Sequence, residues 1–238
     1  MGQKVSQETN QESKADILVI CDVFSQGVVH ASQKLKEYLG FEDPQSKFYP
    51  ATDTLNEIFL VNFISFCVEK GVEERITTSK MTKQQSLLFG VDWIWTLSGA
   101  DKQIRLQIAV QSLQMGDLPS GGQLFEAMAS NREVMLADEL FRNKSRFEKL
   151  EEFSTLVGHD CLGLFIIFGV PGKPKDIRGV LLESIQKEKR KNLSSGENTL
   201  QQFVLTTDSF LSTKEMLENC LTKKNGLREV GKVYINFL

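Results

Sequence analysis

Histidine and cysteine are scarce in this sequence, and that scarcity argues against a metal centre. The chain has 2 histidines and 4 cysteines among 238 residues. Cys21, Cys67, Cys161 and Cys220 show no C-x-x-C spacing, which zinc sites commonly use. We therefore predict no metal and no cofactor. With no secretory signal in the sequence, these cysteines are expected to be buried, reduced thiols rather than disulfides.

Two further absences narrow the class of protein. Lys and Arg total 28 against 31 Asp and Glu, a formal net charge of −3, which gives no basis for nucleic-acid binding. The longest apolar run, at 58–68, is interrupted by Asn62 and Ser65 and falls short of the roughly 18 residues that a membrane span needs. No apolar stretch follows a basic leader, so the expected location is cytoplasmic.

The pattern that remains predicts a single α+β domain, with helices first and strands mixed with helices afterwards. Apolar residues spaced by three and four predict a helix from Asp16. A stretch starting near Asp53 is apolar on nearly every face, which is typical of a helix at the centre of a core. A capping box at Thr82 and Gln85 predicts a third helix that continues to Gly99.

Most of the predicted sheet comes from the C-terminal half of the chain. The predicted strands are 104–110, 162–169, 202–207 and 230–238. Helices capped by Ser145 and Ser212 are predicted between them. Residues 176–188 fit either a helix or the return strand of a hairpin. Glycine and proline predict a long loop around 116–133.

The first fifteen residues are polar and are predicted to form a disordered tail ahead of one domain spanning 16–238. The tail opens with M-G-x-x-x-S, which makes Gly2 a candidate for N-myristoylation. A single myristoyl chain binds membranes weakly, with an association constant on the order of 10⁴ M⁻¹, so a second anchor is needed. Two candidates for this second anchor are the basic run at 187–191 and a membrane-bound protein partner.

Two motif-like segments fail to support an enzyme. GVPGKP at 169–174 has two residues instead of four before its Gly-Lys pair, and proline follows the lysine, so a turn is favoured over a phosphate-binding loop. His159, Asp160 and Cys161 are residue types used in nucleophilic catalysis, but neighbours in sequence do not make a catalytic dyad. The 16 phenylalanines favour a binding protein instead.

Several long segments resemble the Rab-fifteen effector family. They are MGQKVSQ at 1–7, HASQKLKEYLGFE at 30–42, TLNEIFLVNFISFC at 54–67, LLFGVDWIWTLSGADKQIRLQIAVQSLQM at 87–115, DCLGLFIIFGVPGKPKDIRGV at 160–180 and GLREVGKVYINFL at 226–238. The resemblance implies a non-enzymatic effector of GTP-bound Rab GTPases. It further implies a role in recycling receptors, the transferrin receptor among them, at the perinuclear recycling endosome.

A hypothesis for the Rab contacts follows from where aromatic residues fall. Trp93 and Trp95 would point to opposite sides of the predicted third helix, so one of them is a candidate for exposure. The predicted contacts are Trp93 and, at the end of the first helix, Leu35, Tyr38, Leu39 and Phe41.

Two other classes stay open on the residues alone. One is an acylated, lipid-binding adaptor that acts without a Rab, through Gly2 and the basic run at 187–191. The other is a small cytosolic ligand-binding protein built on the α+β domain.

Overall fold

The structure is a computed structural model. It describes the backbone of residues 2–45, 47–114, 144–170, 172–192, 195–222 and 232–238, and within these ranges leaves out the side chains of 2–15, 192 and 222. The loop predicted around 116–133 lies outside the described residues.

Helices and strands both contribute largely to the described part of the chain, which confirms the α+β class. Its helices are α1 (Gly2–Leu35), α2 (Thr52–Glu69), α3 (Lys83–Phe89), α4 (Arg146–Val157), α5 (Leu182–Asn192), α6 (Gly196–Thr206) and α7 (Thr213–Thr222). Its strands are β1 (Ile76–Lys80), β2 (Trp93–Ser98), β3 (Ile104–Gln114), β4 (Cys161–Val170), β5 (Lys173–Leu181), β6 (Phe210–Ser212) and β7 (Tyr234–Asn236).

All the described strands join one mixed, 7-stranded sheet in the order β1-β2-β3-β4-β5-β7-β6. Neighbours pair antiparallel, except β3 with β4 and β6 with β7, which are parallel. The central strand β4 is buried on both faces along most of its length. This explains its continuous apolar sequence, because a strand covered on both sides has no polar alternation.

Helices cover both faces of the sheet and bury two apolar cores. On one face lie α1, α2 and α7, where Phe24 and Phe63 pack on Trp95 with ring centroids 5.0 Å away. On the other face lie α4, α5 and α6, where Phe147 stacks on Phe165 at 5.5 Å. The molecule is therefore a three-layer arrangement of helices, sheet and helices.

The N-terminal helix differs from its prediction in where it starts. The helix expected from Asp16 is present, but α1 begins at Gly2 and runs through the segment expected to be a tail. The mobility of residues 1–15 in solution stays a prediction, since their side chains lie outside the description.

The second helix is not buried all round, so its prediction as a central helix is wrong. It lies in an outer layer, where only the side facing the sheet and α1 is covered. Val61, Ile64 and Val68 form a line on the outer side, with 42–63% of each residue exposed. We call these three residues the α2 stripe.

The third helix is much shorter than predicted. The capping box of Thr82 and Gln85 is present, but α3 ends where Gly90 adopts a left-handed φ of 67°. Residues 93–98 then form strand β2. Since alternate residues of a strand share a face, Trp93 and Trp95 both point into the core and are 0% exposed.

Two predictions in the C-terminal half are also settled. The prediction of a strand at 202–207 is wrong, because α6 continues through Thr206. Ser195 caps this helix by accepting a hydrogen bond from the backbone N–H of Asn198. The ambiguous stretch 176–188 contains both elements, since β5 ends at Leu181 and α5 begins at the next residue.

Candidate functional site

The cysteine and histidine side chains of the described residues are not arranged as a nucleophile with its base. Burial raises the pKa of Cys21 and Cys67 to about 11 and that of Cys220 to about 12, so these thiols are protonated at neutral pH. His159 lies at the surface while the Cys161 side chain is buried in β4. Among the described residues, no group of three or more His, Cys, Asp or Glu is placed to hold a metal ion.

Four aromatic side chains instead gather on the surface between α1 and α2. Tyr38, Phe41, Phe48 and Tyr49, which we call the aromatic cluster, are each 47–66% exposed. Phe41 and Phe48 meet edge to face with ring centroids 6.0 Å apart. Large aromatic residues held at a surface are over-represented at protein interfaces, because they bury a large area at little cost in conformational entropy.

The segment that carries the cluster is held by specific contacts at three points. At the end of α1, Gly40 has a left-handed φ of 71° and lies against Pro174 of β5. Within the loop, the Asp43 carboxylate accepts hydrogen bonds from the backbone N–H groups of Gln45, Lys47 and Phe48. These donors hold the pKa of Asp43 below its ordinary value.

The third contact fixes the far end of the segment to the sheet. The Gln114 side chain, at the end of β3, donates hydrogen bonds to the Pro50 carbonyl at 3.1 Å and to Thr52 Oγ1 at 3.0 Å. Both ends of the segment are thus attached to the sheet, which limits the entropy that its aromatic residues would lose on binding a partner.

A groove of about 300 Å³ runs beside the cluster. Its walls include Tyr38, Phe41 and Tyr49, and its floor is formed by Leu39, Leu55 and other buried apolar groups. Aromatic walls above an apolar floor suit an apolar side chain of a protein partner.

The predicted contact residues separate into two groups in the structure. Tyr38 and Phe41 belong to the exposed aromatic cluster. Leu39 is buried but lines the groove. Leu35 and Trp93 are 0% exposed and lie in the core, so a partner could touch them only if the core opened.

Three residues of the site were missed from the sequence: Phe48, Tyr49 and Asp43. The available signal was that Phe48 and Tyr49 stand in a short segment between Pro44 and Pro50, where no helical or strand periodicity offers them a buried face. Apolar aromatic residues without such a face are candidates for the surface.

Asp43→Ala should loosen the loop without unfolding the domain. Loss of the acceptor leaves the N–H groups of Gln45, Lys47 and Phe48 to water, so their amide hydrogen exchange should accelerate by about tenfold. Because the pKa of Asp43 is lowered, its ordering effect is complete above the ordinary carboxyl pKa of 3.8 and is lost as the pH falls through the depressed value. Unchanged amide exchange in Asp43→Ala would contradict this account. Asp43→Asn, which keeps one side-chain oxygen as an acceptor, is the matched control.

The basic run at 187–191 lies on α5, and much of its charge is paired. Lys187 lies 3.5 Å from Glu183, Lys189 3.7 Å from Glu151 and Lys191 2.9 Å from Glu188. Such pairing weakens the positive potential of α5 and therefore its attraction to an anionic membrane. No described helix is both long and apolar enough to cross a bilayer.

Comparison with known proteins gives consistent results over the full length. Residues 5–237 match the family model described as Rab15 effector. A mouse protein described as Rab15 effector protein is 50% identical over 238 residues, which cover 100% of both chains.

Proposed function

We propose that this chain, which belongs to the Rab15 effector family, binds Rab15 or a related Rab GTPase in the GTP-bound state. It would act by binding alone and catalyse no reaction of its own. The observation that supports a binding role is the aromatic cluster, whose four rings are exposed although the segment carrying them is attached to the sheet at both ends. A surface ordered in this way is adapted to contact a protein.

The preference for GTP follows from how such GTPases switch. The γ-phosphate and its Mg²⁺ order the two switch loops, and hydrolysis releases them. A rigid aromatic surface gains most from a partner surface that is also ordered, because neither side then pays for ordering on association. The aromatic cluster and its groove are the proposed docking site for the switches.

The cellular role that we propose is the recycling of receptors, including the transferrin receptor, from the perinuclear endocytic recycling compartment. The protein would act there as a peripheral component, brought to the membrane by the GTPase. The prenyl chain of the Rab would supply one anchor, and acylation of Gly2 would supply a second.

The test of this function is calorimetry of the purified chain with a panel of Rabs that includes Rab15, each loaded with a GTP analogue or with GDP. Binding restricted to the GTP state of a few Rabs is the expected result. A chain that is folded by circular dichroism but binds none of the panel would refute the effector role.

Gly2→Ala should abolish acylation and the membrane binding that depends on it. When the chain is co-expressed with an N-myristoyltransferase, mass spectrometry should show one myristoyl group on the wild type and none on the variant. Acylated protein should associate with neutral vesicles with a constant on the order of 10⁴ M⁻¹. The absence of the modification from the wild type would contradict the proposal, and Gln3→Ala, which keeps the glycine, is the control.

A further inference from the structure

Strand β1 is the terminal strand of the sheet on one side and pairs only with β2 in the described part of the chain. Its middle and end, Thr77 to Lys80, are partly or largely exposed. The pairing is regular, with each residue of β1 opposite one residue of β2 and no bulge. A regular, exposed strand of this kind leaves one row of backbone groups available to another strand.

The register shows which backbone groups of β1 are already used. The Ser98 N–H donates to the carbonyl of Arg75, and the Met81 N–H donates to the carbonyl of Asp92. In an antiparallel pair, residues alternate between bonding to the neighbouring strand and pointing away from it. The backbone groups of residues 75, 77, 79 and 81 therefore bond to β2. The backbone groups of the residues between them point away from β2, toward the open edge of the sheet.

The residues whose backbone N–H and C=O groups point toward the open edge are Ile76, Thr78 and Lys80. The Ile76 N–H is satisfied by the carbonyl of Val72, which closes the turn before the strand. The N–H and C=O groups of Thr78 and Lys80 have no backbone partner within the described residues. A second β-strand can satisfy these groups in a regular pattern.

The edge has little of the protection that sheet edges commonly carry. It contains no proline and no bulge, and its single charge, Lys80, is drawn aside into an ion pair with Glu57 of α2. Such edges are prone to pair with a further strand.

The charges at the two ends of β1 have opposite signs. Glu73 precedes the strand and Lys83 lies just beyond its other end, and both are exposed. The other charged residues at the two ends already form ion pairs within the chain, Glu74 with Lys102, Arg75 with Asp16 and Lys80 with Glu57. If two copies of β1 pair antiparallel, the acidic end of each meets the basic end of the other. The ends of the edge are thus complementary to those of a second copy.

The α2 stripe flanks the same edge. Glu57 reaches Lys80 of β1, and Val61, Ile64 and Val68 follow Glu57 at helical spacing on the same side of α2. This side faces away from α1, which contacts α2 through Phe63 and Phe66 at Gly27. A two-fold axis at the β1 edge would direct the α2 stripes of two copies toward each other.

We propose that the partner of the β1 edge is a second copy of this chain, with two β1 strands paired antiparallel about Thr78 into one sheet that is continuous across the dimer. Three features support a second copy: the unpaired outward groups, the opposite charges at the strand ends, and the apolar stripe beside the edge. Each is complementary to itself under a two-fold axis, as an isologous interface requires.

The dimer is tested by sedimentation equilibrium of the full chain over a range of concentrations. Thr78→Pro removes the outward N–H and leaves the bonds to β2 intact, because proline is tolerated on an edge. We expect the variant to raise the dimer dissociation constant by at least about tenfold, since both copies lose a hydrogen bond. Thr78→Val keeps the N–H and should dimerise like the wild type.

Charge reversal gives a second test that does not depend on how proline is accommodated. Glu73→Lys and Lys83→Glu should each weaken the dimer by about threefold to tenfold, and the double variant should recover most of the loss. A wild type that stays monomeric at every concentration would overturn the proposal. So would a dimer that neither Thr78→Pro nor the charge reversals weaken, because that dimer would use another surface.

Discussion

Replacing both Phe48 and Tyr49 with alanine should weaken binding of the GTP-loaded Rab by about a hundredfold and leave the midpoint of thermal unfolding nearly unchanged. Truncating an aromatic residue that is a hot spot of an interface costs about 2 kcal/mol, and neighbouring truncations are not fully additive. Stability should hold because both residues are already mostly exposed, at 59% and 66%. Calorimetry gives the affinity, and differential scanning calorimetry gives the midpoint.

Leu156→Ala is the matched control for that experiment. Leu156 is a large apolar residue with 80% of its area exposed, and it lies on α4, which covers the opposite face of the sheet from α1 and α2. Its loss should change neither affinity nor stability. If the double alanine variant bound the Rab as tightly as the wild type, the docking site would have to lie away from the aromatic cluster, even if the effector role held.

Both proposed surfaces include residues from the N-terminal part of α2. Leu55 lines the groove beside the aromatic cluster, and Glu57, near it on the same helix, contacts Lys80 at the end of β1. A dimer formed through β1 would carry two Rab sites. Because Rabs are anchored in one membrane, engaging both sites would raise the apparent affinity well above that of one site.

Much of the α+β architecture could be predicted from the sequence, because its strongest signals are local. The capping boxes at Thr82 and Ser145 mark helix starts that the structure confirms. The continuous apolar run at 162–169 falls within the doubly buried strand β4. In each case a few neighbouring residues determine the element, and the rest of the fold does not override them.

The helix predicted across 82–99 shows where local signals conflict. Val91, Ile94 and Trp95 fit helical spacing, while Trp93, Trp95 and Leu97 also alternate as a strand does. The sheet decides between them: β2 pairs on both sides, with β1 and β3, and buries both tryptophans under α2. That pairing is non-local and cannot be derived from the segment itself. Gly90, which ends α3, was the one local signal for the change.

The candidate site was only partly predictable for a related reason. Tyr38 and Phe41 follow the first helix and were predicted as contacts, but the aromatic cluster is completed by Phe48 and Tyr49 from the other end of the loop. What brings the two ends together is the turn that Asp43 organises and the attachment of Pro50 to Gln114. The contact between Gln114 and Pro50 joins residues far apart in the chain, so no local sequence pattern predicts it.

Trp93→Ala should lower the free energy of unfolding by about 3–5 kcal/mol, which is a large part of the roughly 5–15 kcal/mol of a typical domain. Trp93 is 0% exposed and packs against Trp95 at 5.4 Å and Phe59 at 6.2 Å, so its loss leaves a cavity between α2 and the sheet. Urea unfolding followed by circular dichroism measures the change. Where the variant is still folded, its affinity for the Rab should equal that of the wild type.

Trp93→Phe is a smaller change at the same position. The indole N–H of Trp93 is buried without a hydrogen-bond partner among the described residues, so phenylalanine removes an unsatisfied donor along with some volume. This variant should therefore recover much of the stability that alanine loses. If Trp93→Ala instead kept its stability and lost Rab binding, Trp93 would be a contact residue after all, and the core would have to open when the partner docks.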